Sequence, residues 1–287
     1  MTLRLPLPVV RRAELALPPR GDVAAKLAGA GVIIVGHGTA DPVGAAETHA
    51  VGRLVAALLP GVPVEVGFLE VIGPTIAEAL AALAARGCRA VVAAPLLLFT
   101  AGHARRDIPE ALAAGGQAAG IAVRQAAALG CHPHIVGLAR RRRREAVRGR
   151  EAVPAAATSL VMIGRGSSDP LALRQLLEFT GATFAVGSGA CPHDLECARV
   201  GFGFVAAAEP RLAAALDAAA AGPGVRRVVV QPHLLFRGHV EEQVAAAVAT
   251  ARERHPAIEW IVTAHLGAEP DVADALVDRM AEALSSP

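Results

Sequence analysis

The sequence predicts an α/β protein made of two tandem doubly wound parallel-sheet domains of the flavodoxin-like kind. Three observations predict it. The chain repeats its own motifs in a fixed order, strand and helix signals alternate through the repeat, and 53% of the 287 residues are apolar, enough for the cores of two small domains. Gly36-His37-Gly38-Thr39-Ala40-Asp41-Pro42 lines up with Gly164-Arg165-Gly166-Ser167-Ser168-Asp169-Pro170, and Gly67-Phe68 with Pro74 lines up with Gly203-Phe204 and Pro210. Leu98-Phe99 and Gly102-His103 line up with Leu235-Phe236 and Gly238-His239, and Leu129-Gly130 with Pro133 lines up with Leu266-Gly267 and Pro270. The offset drifts only from 128 to 137. Chance is a poor explanation of that order, so each copy is a unit of roughly 120 residues.

The elements of the first copy follow in turn. Val32-Ile33-Ile34-Val35 is short and apolar, a buried strand over 32–35. A helix follows over 43–59, then a second strand over 64–68. Pro74 opens a helix over 74–85, a third strand covers 89–94, and a helix covers 103–114. A fourth strand at 121–126 and a closing helix at 133–147 complete the copy. Strands alternating with helices imply parallel pairing and right-handed crossovers. The expected organisation is a leader arm at 1–30, which is either loose or an added strand, a domain at 31–147, a linker at 148–157 and a second domain at 158–287.

Composition excludes several kinds of chemistry. Lys26 is the only lysine, no Gly-x-x-x-x-Gly-Lys loop exists, and there is no tyrosine. P-loop nucleotide chemistry and phenol catalysis are therefore excluded, and a Schiff base would need Lys26 itself. The formal charge of +2 gives no argument for nucleic acid or a membrane surface as the main partner. Mean hydropathy is +0.44, yet the most apolar runs, such as 90–104, are too short to span a bilayer and are broken by Pro95. Cys88, Cys131, Cys191 and Cys197 are scattered without a Cys-x-x-Cys pair, and prolines interrupt any apolar stretch in residues 1–30. No signal peptide is read, and a cytoplasmic protein is expected. The arginine run Arg140–Arg144 reads as the solvated end of a helix, where cations suit the dipole, rather than as a nucleic-acid patch.

Ligands of open α/β sheets bind beyond the carboxyl ends of the strands, at a topological switch point. His37 follows the first strand, Glu70 the second, and His103 the third. With the strand order 2-1-3-4 the two imidazoles share one crevice. Two histidines and a carboxylate on one rim suit a first-row divalent metal, or proton removal near neutral pH. The plainer alternatives are a tight glycine turn at His37, a helix cap at His103 and a surface charge at Glu70. A histidine phosphotransfer enzyme is a rival reading of Gly36-His37-Gly38, weakened because valine and glycine, not a basic residue, precede His37. Cys191-Pro192-His193 with Cys197 matches no structural zinc spacing well. His49, His132, His134, His233, His255 and His265 are assigned to caps or surfaces, His233 least securely because it lies just inside a strand.

Val35-Gly36-His37-Gly38-Thr39, Gly67-Phe68-Leu69-Glu70, and Pro95-Leu96-Leu97-Leu98-Phe99 with Gly102-His103 and Asp107-Ile108-Pro109 resemble the motifs of the sirohydrochlorin chelatases. Gly164-Arg165-Gly166-Ser167-Ser168-Asp169-Pro170 resembles the second-half motif of the long, two-domain members, so the resemblance runs over about residues 31–284. It implies a chelatase-like fold in both halves and an ATP-independent class II chelatase, inserting Co²⁺ or Fe²⁺ into sirohydrochlorin with release of two protons, in cobalamin or sirohaem biosynthesis. The family's two active-site histidines fall on His37 and His103, which hold the metal, and its acidic residue falls on Glu70. In the second copy Arg165 and Ala206 replace the first histidine and the glutamate, and only His239 persists. One working site, in the first half, is implied. No iron–sulfur cluster is carried over, so the expected cofactor inventory is a divalent metal as substrate and nothing bound permanently.

The ring of such a substrate is broad, partly flat and edged with carboxylates. Phe68 and Phe99 are candidate wall residues, and Arg105, Arg106 and Arg165 are candidate carboxylate partners. Neutral imidazole is needed to accept metal or proton, so activity should fall below about pH 6. The expected partner is the small tetrapyrrole, with no nucleic acid and no membrane. The chain is expected to be a monomer with pseudo-dimeric halves, or a weak homo-oligomer. A non-catalytic metal or tetrapyrrole carrier, or the phosphotransfer enzyme, stands as the alternative.

Overall fold

The computed structural model describes residues 22–99, 104–184 and 197–285. Two four-stranded parallel sheets carry the chain, each with flanking helices, and the α/β repeat architecture expected from the sequence is present. The first sheet contains β1 (Gly31–Gly36), β2 (Val64–Phe68), β3 (Ala90–Pro95) and β4 (Ala122–Gln125), in the order β2-β1-β3-β4. The second contains β5 (Thr158–Gly164), β6 (Arg199–Phe204), β7 (Arg227–Pro232) and β8 (Glu259–Val262), in the order β6-β5-β7-β8. The switch point of the first sheet lies between β1 and β3, where Val35 pairs with Pro95.

The local causes are visible in the residues. β1 is buried along its whole length, as a central strand covered on both faces must be. α2 (Pro42–Leu58) starts where Asp41 accepts hydrogen bonds from the Val43 and Gly44 amides at 2.8 and 3.2 Å, with Pro42 in the first turn. α3 (Ile76–Ala85) starts on a reciprocal cap. The Thr75 amide donates to the Glu78 carboxylate at 2.7 Å, and the Glu78 amide donates to Thr75 Oγ1 at 3.2 Å. One face of the first sheet, with Ile33, Val35, Val91 and Ala93, packs with Leu80 and Leu83 of α3 and with Ile108 and Leu112 of α4 (Ala104–Ala119). The alternate residues Val32, Ile34, Val92 and Ala94 are buried on the opposite face.

That opposite face separates the structure from the sequence reading. α2 lies along β2, but the helix against β3 is α9 (Pro270–Ser285), from the far end of the chain. One compact unit draws on residues 16–135 and 268–287, the other on 136–267. The expected domain at 31–147 included α5 (Pro133–Val147), yet from Val136 onward α5 belongs to the second unit. There Gln231 Nε2 donates to the Ala139 carbonyl at 2.8 Å, and Ala146 and Val147 pack on Leu160, Val229 and Ile261. The expected domain at 158–287 likewise differs by giving up α9. Each sheet is closed by the other copy's last helix.

The arginine run is not the solvated helix end that was expected. Arg143 is buried, donates to the Thr183 carbonyl at 2.9 Å and lies over the Phe184 ring at 4.5 Å. Arg142 donates to the carbonyls of His265 and Leu266 at 3.0 and 2.6 Å. Arg142 thereby satisfies two carbonyls of the loop after β8, and Arg143 one in the last turn of the helix at Pro170–Phe184, groups that would otherwise be stranded. Of the leader, residues 22–30 are described. They hold the short helix α1 (Val23–Lys26), which packs on α9. Among the described residues no helix is long and apolar enough to cross a membrane.

Candidate active site

The site is built at the carboxyl ends of β1 and β2. The β1–β2 ladder continues past both strands: the Leu69 amide donates to the Gly36 carbonyl at 2.9 Å and the Glu70 amide to the His37 carbonyl at 3.1 Å. His37 and Glu70 are thereby held in register. Their side chains meet, with His37 Nε2 and Glu70 Oε1 3.1 Å apart. The imidazole is 29% exposed and the carboxylate 52%, so the pair is open to water and to a ligand. Gly38 makes this approach possible. Its φ is +105°, and a Cβ there would run into the Glu70 carbonyl oxygen. Gly36 has a similar reason, since a Cβ there would press on the Phe68 ring at 3.0 Å.

Of the other expected site residues, Phe99 is partly exposed, and Arg105 and Arg106 are exposed in the first turn of α4. His103 lies outside the described residues, as do Cys191 and His193. Phe68 does not form a wall. It is 1% exposed and packs in the core with the His49 ring of α2 edge-on at 5.4 Å, because helices cover both faces of β2 at its buried end. Among the described residues no group of three or more His, Cys, Asp and Glu side chains is arranged to hold a metal ion.

The second copy repeats the backbone without the chemistry. The Ala206 amide donates to the Arg165 carbonyl at 2.9 Å, and Gly166, with φ +92°, lies against the Ala206 carbonyl as Gly38 does against Glu70. Arg165 and Ala206 are exposed. His239, the surviving histidine, is 3.6 Å from Glu242 and its side chain is 80% exposed. A cavity of about 530 Å³ in this unit, lined by residues including Leu173, Phe202 and Ala218, contains neither Arg165 nor His239.

The remaining histidines divide differently from the expected caps and surfaces. His132 does accept from the His134 amide through Nδ1 at 3.4 Å, but it is buried. Its Nε2 and that of His134 each stand 3.6 Å from Asp278 Oδ2 of α9. Sequence spacing had no means of finding this cluster, because Asp278 comes from the exchanged helix. His233 is buried against Phe179, ring centroids 4.2 Å apart, and burial holds its pKa down at about 3. His255 meets Asp217 at 3.0 Å and His265 meets Glu241 at 3.0 Å.

Fold and rim together define a tandem protein of the chelatase fold with a histidine–carboxylate pair on one sheet edge. SirB from Bacillus subtilis, whose structure is described with Fe³⁺, superposes with a TM-score of 0.74 over 89% of this chain and 95% of its own, at 24% identity. The CbiX family model matches residues 31–146 and 159–283, one match per copy, and the chain belongs to the CbiX family, the sirohydrochlorin chelatase family that the motifs resemble. A sirohydrochlorin cobaltochelatase of Priestia megaterium is 25% identical over 88% of this chain and 79% of its own. A sirohydrochlorin ferrochelatase of the same organism is 30% identical over 77% of this chain and 78% of its own.

Proposed function

We propose that the chain inserts a divalent metal into sirohydrochlorin without ATP, with Co²⁺ ahead of Fe²⁺ as the metal. The observation that carries it is the contact between His37 and Glu70 at the carboxyl-end rim of a CbiX-family sheet. In the proposed reaction the divalent metal enters the ring as the two pyrrole protons leave. His37, in its neutral form, presents Nε2 to the metal or accepts one of those protons. Glu70 steadies the imidazole and, being half exposed, passes the proton to water. His103 is proposed as the second imidazole of the same site. Arg105 and Arg106 are proposed to meet the peripheral carboxylates of the ring, with Arg165 as a further candidate and Phe99 as an apolar wall. The pathway is proposed to be that of cobalamin or sirohaem, and the compartment the cytoplasm.

Cobalt is placed first on the sequence resemblance to long two-domain members; the two Priestia relatives, one for each metal, support the substrate class without choosing between the metals. The test follows the absorbance of metal-free sirohydrochlorin with Co²⁺, Fe²⁺ or Ni²⁺ present, with and without protein. Acceleration over the uncatalysed rate is expected, greatest with Co²⁺. His37→Ala should lose about 100-fold or more of that acceleration, and Glu70→Gln about 10- to 100-fold. A His37→Ala, His103→Ala double variant that still metallates at the wild-type rate would overturn the assignment.

A further inference from the structure

Val71 follows Glu70 directly and is the most exposed large apolar side chain among the described residues, at 64%. Its φ is +72°, and the Ile72 amide donates to the Glu70 carbonyl at 2.8 Å. Residues 70–72 thus close a γ-turn in its rare, strained sense, with a β-branched residue at the centre. Such a conformation costs of order 1–3 kcal/mol. Glycine would relieve the cost, yet a valine is held there with its isopropyl group in water. The side chain lies beside the reacting pair. A Cβ on Gly38 would stand 3.6 Å from Val71 Cβ, so Val71 borders the glycine turn that follows His37.

The repeat supplies an internal control. Ala207 occupies the same place in the second copy, also exposed and also at positive φ, +53°. The left-handed backbone therefore belongs to the loop in both copies. The large apolar side chain is found on the copy that has His37 and Glu70, whereas the copy with Arg165 and Ala206 carries alanine.

We infer that Val71 is a substrate-contacting residue: its isopropyl group packs on the apolar face of the macrocycle engaged at His37 and Glu70 and sets the affinity for it. The inference rests on the chelatase reading above. It is tested by titrating metal-free sirohydrochlorin into the wild-type chain and into Val71→Gly, Val71→Ala and Val71→Thr, following absorbance, with a melting curve for each. Val71→Thr keeps the volume and the β-branching but loses the apolar contact. All three variants should weaken binding about three- to tenfold, and KM should rise more than kcat changes. Val71→Gly should bind more weakly while melting at a higher temperature, a combination that a purely structural role cannot give. Variants that bind as tightly as the wild type overturn the inference alone. A wild-type chain that does not bind sirohydrochlorin overturns the chelatase reading, and the inference falls with it.

Discussion

His233 carries the clearest pH consequence of any single residue. It extends β7 as Leu96 extends β3: the His233 amide donates to the Ile163 carbonyl at 2.8 Å, and the Leu96 amide to the Val35 carbonyl at 2.8 Å. An imidazole therefore occupies a position that the first copy gives to an apolar side chain. Burial lowers its folded pKa to about 3, against about 6.5 in an unfolded chain. Between those values the unfolded state binds the extra proton. Stability is then fully present above about pH 6.5 and drains by about 1.4 kcal/mol per unit as pH falls toward 3. His233→Leu should flatten this acid limb, measured as urea midpoints across pH 4–7, and an unchanged slope would remove His233 from the account. The same residue marks a limit of legibility. His37 and Glu70 are readable because strand ends and glycine turns leave a sequence signature, but the depth at which His233 sits depends on packing by Phe179. The burial of Phe68 is hidden from the sequence for a related reason, since it depends on α2 covering that face of β2 while α3 covers the other.

Among the elements, α9 depends on a polar contact as well as an apolar one. Val272, Leu276 and Met280 are fully buried, and Asp278 among them is 2% exposed beside His132 and His134. Removing a buried polar partner strands the groups it faced. Asp278→Ala should lower stability by about 1–3 kcal/mol in urea denaturation, with the loss appearing in the half that holds His37. An unchanged midpoint would show that α9 docks by apolar contact alone. The strands and helices themselves were legible, because apolar runs such as Val32–Val35 and the Pro74 just before α3 are local signals, whereas the order 2-1-3-4 rested on its commonness among doubly wound sheets. The exchange of α5 and α9 was not legible. Both helices present apolar faces that fit a sheet of the same kind, and amphipathic spacing says that a face is buried without saying against which copy.

At the scale of the whole molecule, the repeat is not two self-sufficient domains in series. Residues 22–147 expressed alone keep the first sheet and α5 but lack α9. Such a fragment is expected either to associate with a second copy of itself by trading α5 or to remain incompletely folded. Sedimentation of the fragment, alone and mixed with residues 148–287, checks this. A stable, monomeric, fully folded fragment would contradict the exchange.

Synthesis runs in one direction, and the helix borrowed from the far end has a consequence there. Val32, Ile34, Val92 and Ala94 emerge from the ribosome long before Val272 and Leu276, the side chains of the helix that joins α2 on their face. For most of translation the half bearing His37 waits with an apolar flank uncovered, a period in which a chaperone, or a temporary visit by α5, would shield it from aggregation.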